Sequence, residues 1–217
     1  MTAPETIKPA LAYDWLTPFY DPVVRWTTRE RTFKSSLLAQ AGIGSGHRVL
    51  DVGCGTGTLA LAAKQTCPGA AVTGLDADPA VLARAARKIE AGGEIVRLVE
   101  GRADSMPFAN GTFERAISSL FFHHLDRAAK QRVFREIHRL LVPGGELHVA
   151  DWGCPENVAM SAAFLVVQLL DGFSTTADHR RGLLPTLMQE AGFREVEVTR
   201  HVNTPCGTLS LFRAVRA

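Results

Sequence analysis

The run Val49-Leu50-Asp51-Val52-Gly53-Cys54-Gly55-Thr56-Gly57-Thr58-Leu59 decides the fold. A short apolar strand enters three glycines at alternate positions, and a helix follows. Glycine permits the tight turn and lets the backbone approach a ligand closely. The helix start offers unpaired N–H groups. The spacing is G-x-G-x-G, and Thr58 stands where the third glycine of the dinucleotide fingerprint would fall. That argues against pyrophosphate binding of the dehydrogenase kind, and no Gly-Lys-Ser/Thr follows to make a Walker loop.

Working outward, strand-like runs alternate with helical periods. Ala71–Leu75, Ile95–Val99, Arg115–Ser119 and Glu146–Ala150 read as strands two to five. Pro79–Ala91 reads as a helix with Val81, Leu82, Ala85, Ala86 and Ile89 on one face. Ala128–Leu141 reads as another, stopped by Pro143-Gly144-Gly145. After a helix over Leu183–Ala191, Arg194–Arg200 and Leu209–Val215 read as two final strands joined by a loop holding Pro205 and Gly207. Alternation of this kind implies a parallel sheet covered on both faces. The last two strands have no helix between them, so the final one should run antiparallel.

Residues 1–44 precede the sheet as a helical prefix with Tyr13, Trp15, Phe19, Tyr20, Trp26 and Phe33, either a packing layer or a lid over the ligand crevice. Residues 45–217 form the main domain, with a cover inserted near 153–182. That cover contains the longest apolar run, Val158–Leu170. The run is shorter than the ~20 residues of a spanning helix, so no transmembrane segment is expected, although peripheral membrane contact is allowed. Its apolar residues go nearly all round, which predicts burial against more than one partner. A dimer contact is one such partner, leaving monomer and homodimer both open.

Composition narrows the class. The chain has 217 residues, 46% of them apolar and 21% charged, which excludes wholesale disorder. The net charge of +2 is too small for a nucleic-acid binder that depends on phosphate contacts. The start MTAPETIKPA lacks the features of a secretory signal, and Cys54, Cys67, Cys154 and Cys206 lack paired C-x-x-C spacing. A cytoplasmic chain with free thiols and no metal is expected.

Two acidic sites extend the glycine loop. Asp76 ends strand two, 19 residues past Gly57, where a carboxylate can accept from both ribose hydroxyls. Asp78 fits the cap of the next helix, whose first residue is Pro79. Asp104 follows strand three in Gly101-Arg102-Ala103-Asp104-Ser105-Met106. It could accept from an exocyclic adenine amine beside the backbone of Ala103, with Met106 against the ring.

The ordered set VLDVGCGTG, GLDADP, GRADSMPF, FERAISSLFFHHL and RLLVPGGELHVAD resembles the class I S-adenosylmethionine-dependent methyltransferases, in particular the small-molecule branch that includes the ubiquinone/menaquinone-biosynthesis type. The resemblance covers about residues 45–152. It implies a Rossmann-like α/β fold with a seven-stranded sheet in order 3-2-1-4-5-7-6 and strand 7 antiparallel. It assigns Asp51, Gly53, Gly55 and Gly57 to the methionine side of S-adenosylmethionine, Asp76 with Ala77 to the ribose, and Ala103 and Asp104 to the adenine. Ser119 and Leu120 would lie beside the reacting methyl.

Transfer of that methyl is an in-line displacement for which the protein mainly supplies alignment and a dry pocket. A base is needed only where the acceptor must lose a proton. Phe121, Phe122, His123 and His124 follow strand four, and Asp151, Trp152 and Cys154 follow strand five, so the two loops should meet at the methyl. His123 or His124 is a candidate general base, and Asp151 a candidate to orient a histidine or an amine. The acceptor is expected to be a small apolar or aromatic molecule methylated at O, N or C. The alternatives are arsenite held by Cys154 and Cys206, or a phospholipid headgroup.

Overall fold

The structure, a computed structural model, describes residues 29–217. Tyr13, Trp15, Phe19, Tyr20 and Trp26 lie outside the described residues. The seven strands are β1 (Arg48–Val52), β2 (Ala71–Asp76), β3 (Arg97–Glu100), β4 (Phe113–Ser119), β5 (Leu141–Trp152), β6 (Phe193–Thr204) and β7 (Gly207–Arg216). They form one sheet in the expected order 3-2-1-4-5-7-6. Strands β1 to β5 are parallel, and β7 runs antiparallel to both β5 and β6.

The helices are α1 (Glu30–Ala41), α2 (Thr58–Thr66), α3 (Pro79–Ala91), α4 (Arg127–Leu140), α5 (Val158–Asp171), α6 (Phe173–Arg180) and α7 (Leu184–Glu190). The period-two alternation of β1 splits the core. Leu50 and Val52 join the cluster under α4 and α7, whereas Val49 joins the cluster with residues of α1, α2 and α5. Buried strands with both faces covered must be apolar on both sides, which is why VLDV reads as a continuous run.

Helix α1 buries Phe33, Leu37, Leu38 and Ala41 at the i, i+4, i+5, i+8 spacing of a one-sided helix. These side chains pack into the cluster that includes Val49 and Ile117 of the sheet. Helix α3 matches its predicted bounds, because Asp78 accepts from the N–H groups of Ala80 (2.8 Å) and Val81 (3.3 Å) and Pro79 needs no donor.

Three expectations are corrected. Strand β5 begins at Leu141, not Glu146: Leu141 already pairs with Phe113, and Pro143-Gly144-Gly145 forms an irregularity before Arg115 pairs with Glu146. Strands β6 and β7 are longer than read and close in a hairpin in which Thr204 pairs with Gly207 across Pro205-Cys206. Their charged residues hid this, since β6 is a largely exposed edge where charge blunts further pairing. Helix α5 is not buried all round. Phe164, Val167 and Gln168 face inward, while Val158, Leu165, Val166, Leu169 and Leu170 are exposed among the described residues.

Candidate functional site

In a sheet of this order the crevice lies beyond the carboxyl ends of β1 and β4, where the connections diverge to opposite sides. Gly53, Gly55 and Gly57 all take positive φ there, at 67°, 53° and 73°. Gly53 also needs the space: a Cβ would lie 2.3 Å from Phe121 Cδ2. Gly55 has open space, so only its backbone conformation demands glycine. The same strand end carries Asp51, 1% exposed, whose carboxylate oxygens meet no hydrogen-bond partner of normal geometry among the described residues. Burial pushes its pKa up to about 7, with Lys34 opposing and Asp76 adding to the rise.

Asp76 Oδ2 accepts from Gly55 N–H (2.8 Å) and Oδ1 from Asp78 N–H (3.1 Å), so the second strand's carboxylate fixes the first strand's turn. Ala77 lies in the short bend between Asp76 and Asp78. Asp104 is bound by Arg102 (3.0 and 2.9 Å) and Arg132 (3.2 Å), and these guanidiniums, first of all Arg102, hold its pKa down. Ala103 packs against the α4-side cluster beside Met106.

Beyond β4 the chain turns sharply. Ser119 ends the strand, and Leu120 sits at φ 52°, a left-handed conformation unusual for a side chain this bulky. The Leu120 N–H donates to Ala150 O at 2.9 Å, tying the turn to β5. A 3₁₀ turn, Phe122–His124, follows.

Asp151 organises that turn. It shares a sheet face with Leu147 and Val149 and is fully buried. One oxygen accepts from the N–H groups of Phe121 (3.1 Å) and Phe122 (2.7 Å). The other lies 2.8 Å from His123 Nδ1 and accepts from Trp152 N–H at 2.8 Å. Burial opposes ionisation of Asp151, but His123 and His179 beside it hold its pKa well below the usual carboxylate range. An ionised carboxylate only accepts, so His123 Nδ1 carries a proton and its Nε2 points onward. That nitrogen lies 3.7 Å from Asp171 Oδ2. Burial works against charge on His123, yet Asp151 and Asp171 raise its pKa above the ordinary value. His124 is different: burial and the His123 ring 4.0 Å away lower its pKa to about 3, so it is neutral at physiological pH.

The family profile of a methyltransferase domain matches residues 49–145. An uncharacterised methyltransferase of Synechocystis sp. is 30% identical over 167 residues, covering 77% of this chain and 76% of that protein. A demethylmenaquinone methyltransferase of Thermus thermophilus is 39% identical over 119 residues, covering 55% of this chain and only 53% of that protein. A ubiquinone/menaquinone biosynthesis C-methyltransferase of Syntrophotalea carbinolica is 25% identical across 94% of this chain and 92% of its own length. In fold, the YcgJ protein of Bacillus subtilis superposes with a TM-score of 0.67 at 17% identity, over 84% of this chain and 97% of that one. The chain belongs to the class I S-adenosylmethionine-dependent methyltransferases.

The residues of this methyltransferase fit the cofactor. A buried carboxylate whose oxygens find no partner among the described residues is what an ammonium group needs, and Asp51 fits that need. Of the three left-handed glycines, Gly55 faces open space, where a ligand can approach the backbone.

The arsenite alternative is not favoured. Cys206 packs against the cluster that contains Phe164, whereas Cys154 lines a cavity beside His179, and both thiols are free. The phospholipid alternative is not favoured either. Sequence reasoning missed His179, whose Nδ1 donates to Trp152 O at 2.8 Å and lies 3.9 Å from Asp151. It also missed the roles of Asp171 and of Lys130, the latter fully buried in a helix read only for its apolar face. The available signal was the charged cluster Asp178-His179-Arg180-Arg181 inside an apolar cover.

Proposed function

We propose that this chain transfers the methyl of S-adenosylmethionine to a carbon or oxygen of a small hydroxylated aromatic acceptor of the quinol type. The observation that carries this reading is the contact of Gly53 with Phe121, which joins the cofactor turn to the turn held by Asp151. The quinone-linked relatives support the acceptor class. Asp51 binds the cofactor's ammonium, Gly53, Gly55 and Gly57 seat its methionine end, and Asp76 with Ala77 takes the ribose. Ala103 and Asp104 border the adenine, with Asp104 sharing its carboxylate with two arginines. When bound, the cofactor supplies an activated methyl, so the protein need only align and desolvate.

Leu120 and Ser119 hold the β4 turn against the methyl. His123, oriented through Nδ1 by Asp151, takes the acceptor's hydroxyl proton at Nε2 where one must leave. His124 is too weak a base for that step, since useful bases titrate near the working pH, and it shapes the acceptor wall as a neutral imidazole. The free thiols suit a reducing cytoplasm.

The test is an acceptor panel of reduced quinols, catechols and phenols with S-adenosylhomocysteine as readout. Turnover of a quinol, reduced at least about tenfold in His123→Ala, supports the reading. Turnover confined to amines or thiols overturns the acceptor class.

A further inference from the structure

Among the described residues, three metal-ligating side chains come together at the edge of this site. One ligand atom each from His123, His124 and Asp171 lies within 4.8 Å of the other two, and the nitrogens that face Asp171 are His123 Nε2 and His124 Nδ1. Both imidazole nitrogens are 3.7 Å from Asp171 oxygens. Metal bonds of about 2.0–2.1 Å in tetrahedral geometry separate ligand atoms by about 3.4 Å, so small side-chain adjustments would close the set. We propose that His123, His124 and Asp171 form a binding site for a divalent transition-row cation.

Three features distinguish this cluster from chance neighbours. First, the donor set is right: two imidazoles and one carboxylate bind zinc-like ions and leave coordination positions open. Second, the tautomer is fixed. Metal-bound histidine almost always donates its other ring N–H to a carboxylate or carbonyl. His123 Nδ1 does so to Asp151 at 2.8 Å, which leaves the Nε2 lone pair toward His124 and Asp171. Third, the ligands sit on supported backbone. The turn carrying both histidines is clamped by Asp151 through Phe121 and Phe122, and Asp171 is the last residue of α5, just before Gly172. His123 is buried, while His124 and Asp171 keep about a quarter and a fifth of their side chains exposed, giving an ion an entry side.

The inference deepens the proposed reaction and rests on it only for what the open positions would face, an acceptor oxygen. A cation on His123 Nε2 removes that nitrogen from proton transfer. The cation would then itself acidify the acceptor hydroxyl, as bound metals do, and the released proton would leave to solvent at the exposed edge formed by His124 and Asp171.

The experiment is titration of the untagged full chain with Co²⁺ and, separately, Zn²⁺, followed by visible absorption and calorimetry. We expect one equivalent of Co²⁺ to give a d–d spectrum without sulfur charge-transfer bands, and Zn²⁺ to displace it. Asp171→Asn and His124→Ala should each weaken binding by more than about tenfold, since even losses behind the ligands cost that much. Cys154→Ser should leave it unchanged. No saturable binding, or equal binding in both ligand variants, overturns the site. S-adenosylmethionine binding is measured on the same samples. If the cofactor binds and the cation does not, the metal site alone falls; if neither binds, the methyltransferase reading falls with it.

Discussion

Gly53 and Phe121 are in such close contact that the smallest side chain at position 53 would occupy the volume of the Phe121 ring, 2.3 Å from Cδ2. The turn after β1 and the turn after β4 are thus one packed unit. Gly53→Ala meets both this overlap and a φ of 67°. Overpacking costs about 1–3 kcal/mol and the left-handed conformation about 1–2 more. Gly55→Ala meets only the conformational cost, because its Cβ has open space. In urea titration Gly53→Ala should be the less stable by at least about 1 kcal/mol. It should also lose more cofactor affinity by calorimetry. Equal effects at the two positions would show that the contact with Phe121 is not structural.

Asp51 should make stability depend on pH in an uncommon direction. Its folded pKa is raised to about 7 by burial, above its unfolded value near 3.8. The folded state therefore holds the proton more tightly, and this group's contribution is lost as pH rises between those values. Asp51→Asn removes that dependence. Relative to wild type, the variant should gain on the order of 2 kcal/mol between pH 5 and pH 8. A difference in melting behaviour that stays constant across this range would refute it. Cofactor binding near pH 6 should also release a proton as the ammonium settles against the carboxylate, visible as a buffer-dependent enthalpy in wild type and absent in the variant.

What could be read from sequence, and what could not, follows from sequence separation. The glycine turn, Asp76, and the Asp78 cap are local patterns whose physics is complete within a few residues; the alternation of elements implied a parallel sheet, and its strand order came only with the family resemblance. The partnership of His123 with Asp151 was within reach because His123 follows β4 and Asp151 lies near the end of β5, its adjacent parallel strand. Asp171 and His179 were not. They reach the same cluster only through packing of α5 and α6, and no periodicity in one segment reports on contacts with another. Charge on β6 and the Pro143-Gly144-Gly145 break misled for the converse reason: local signals for a loop were overridden by pairing with β7 and with Phe113.

Asp151 holds four donors, and its replacement should be felt in the fold before the chemistry. Asp151→Ala leaves the N–H groups of Phe121, Phe122 and Trp152 and the His123 ring without a buried acceptor. Removing one partner of a buried charged pair costs about 3–5 kcal/mol. Asp151→Asn keeps one acceptor oxygen and should cost less. The amide proton exchange of Phe122 should quicken in both variants, more in Ala than in Asn. Unchanged protection in Asp151→Ala would show that the turn does not depend on this carboxylate.

A buried cation helps tie the cover that bears Asp171 and His179 to α4. Lys130 is 0% exposed, and its ammonium donates to Thr175 O at 2.6 Å and faces Asp178 Oδ2 at 3.5 Å. Asp178 also accepts from Arg127 on the solvent side. The two ends of this pair are therefore unequal. Lys130→Met keeps most of the volume and leaves Asp178 still paired with Arg127, so it should cost only about 1–2 kcal/mol. Asp178→Ala strands the buried ammonium and should cost about 3–5 kcal/mol. Combining Lys130→Met with Asp178→Leu should recover much of that loss, because apolar replacement of a buried ion pair is often near neutral. Chemical denaturation of the three variants measures the ordering. If Lys130→Met proves as damaging as Asp178→Ala, the ammonium's bond to Thr175, not its pairing with Asp178, is what holds α6 to α4.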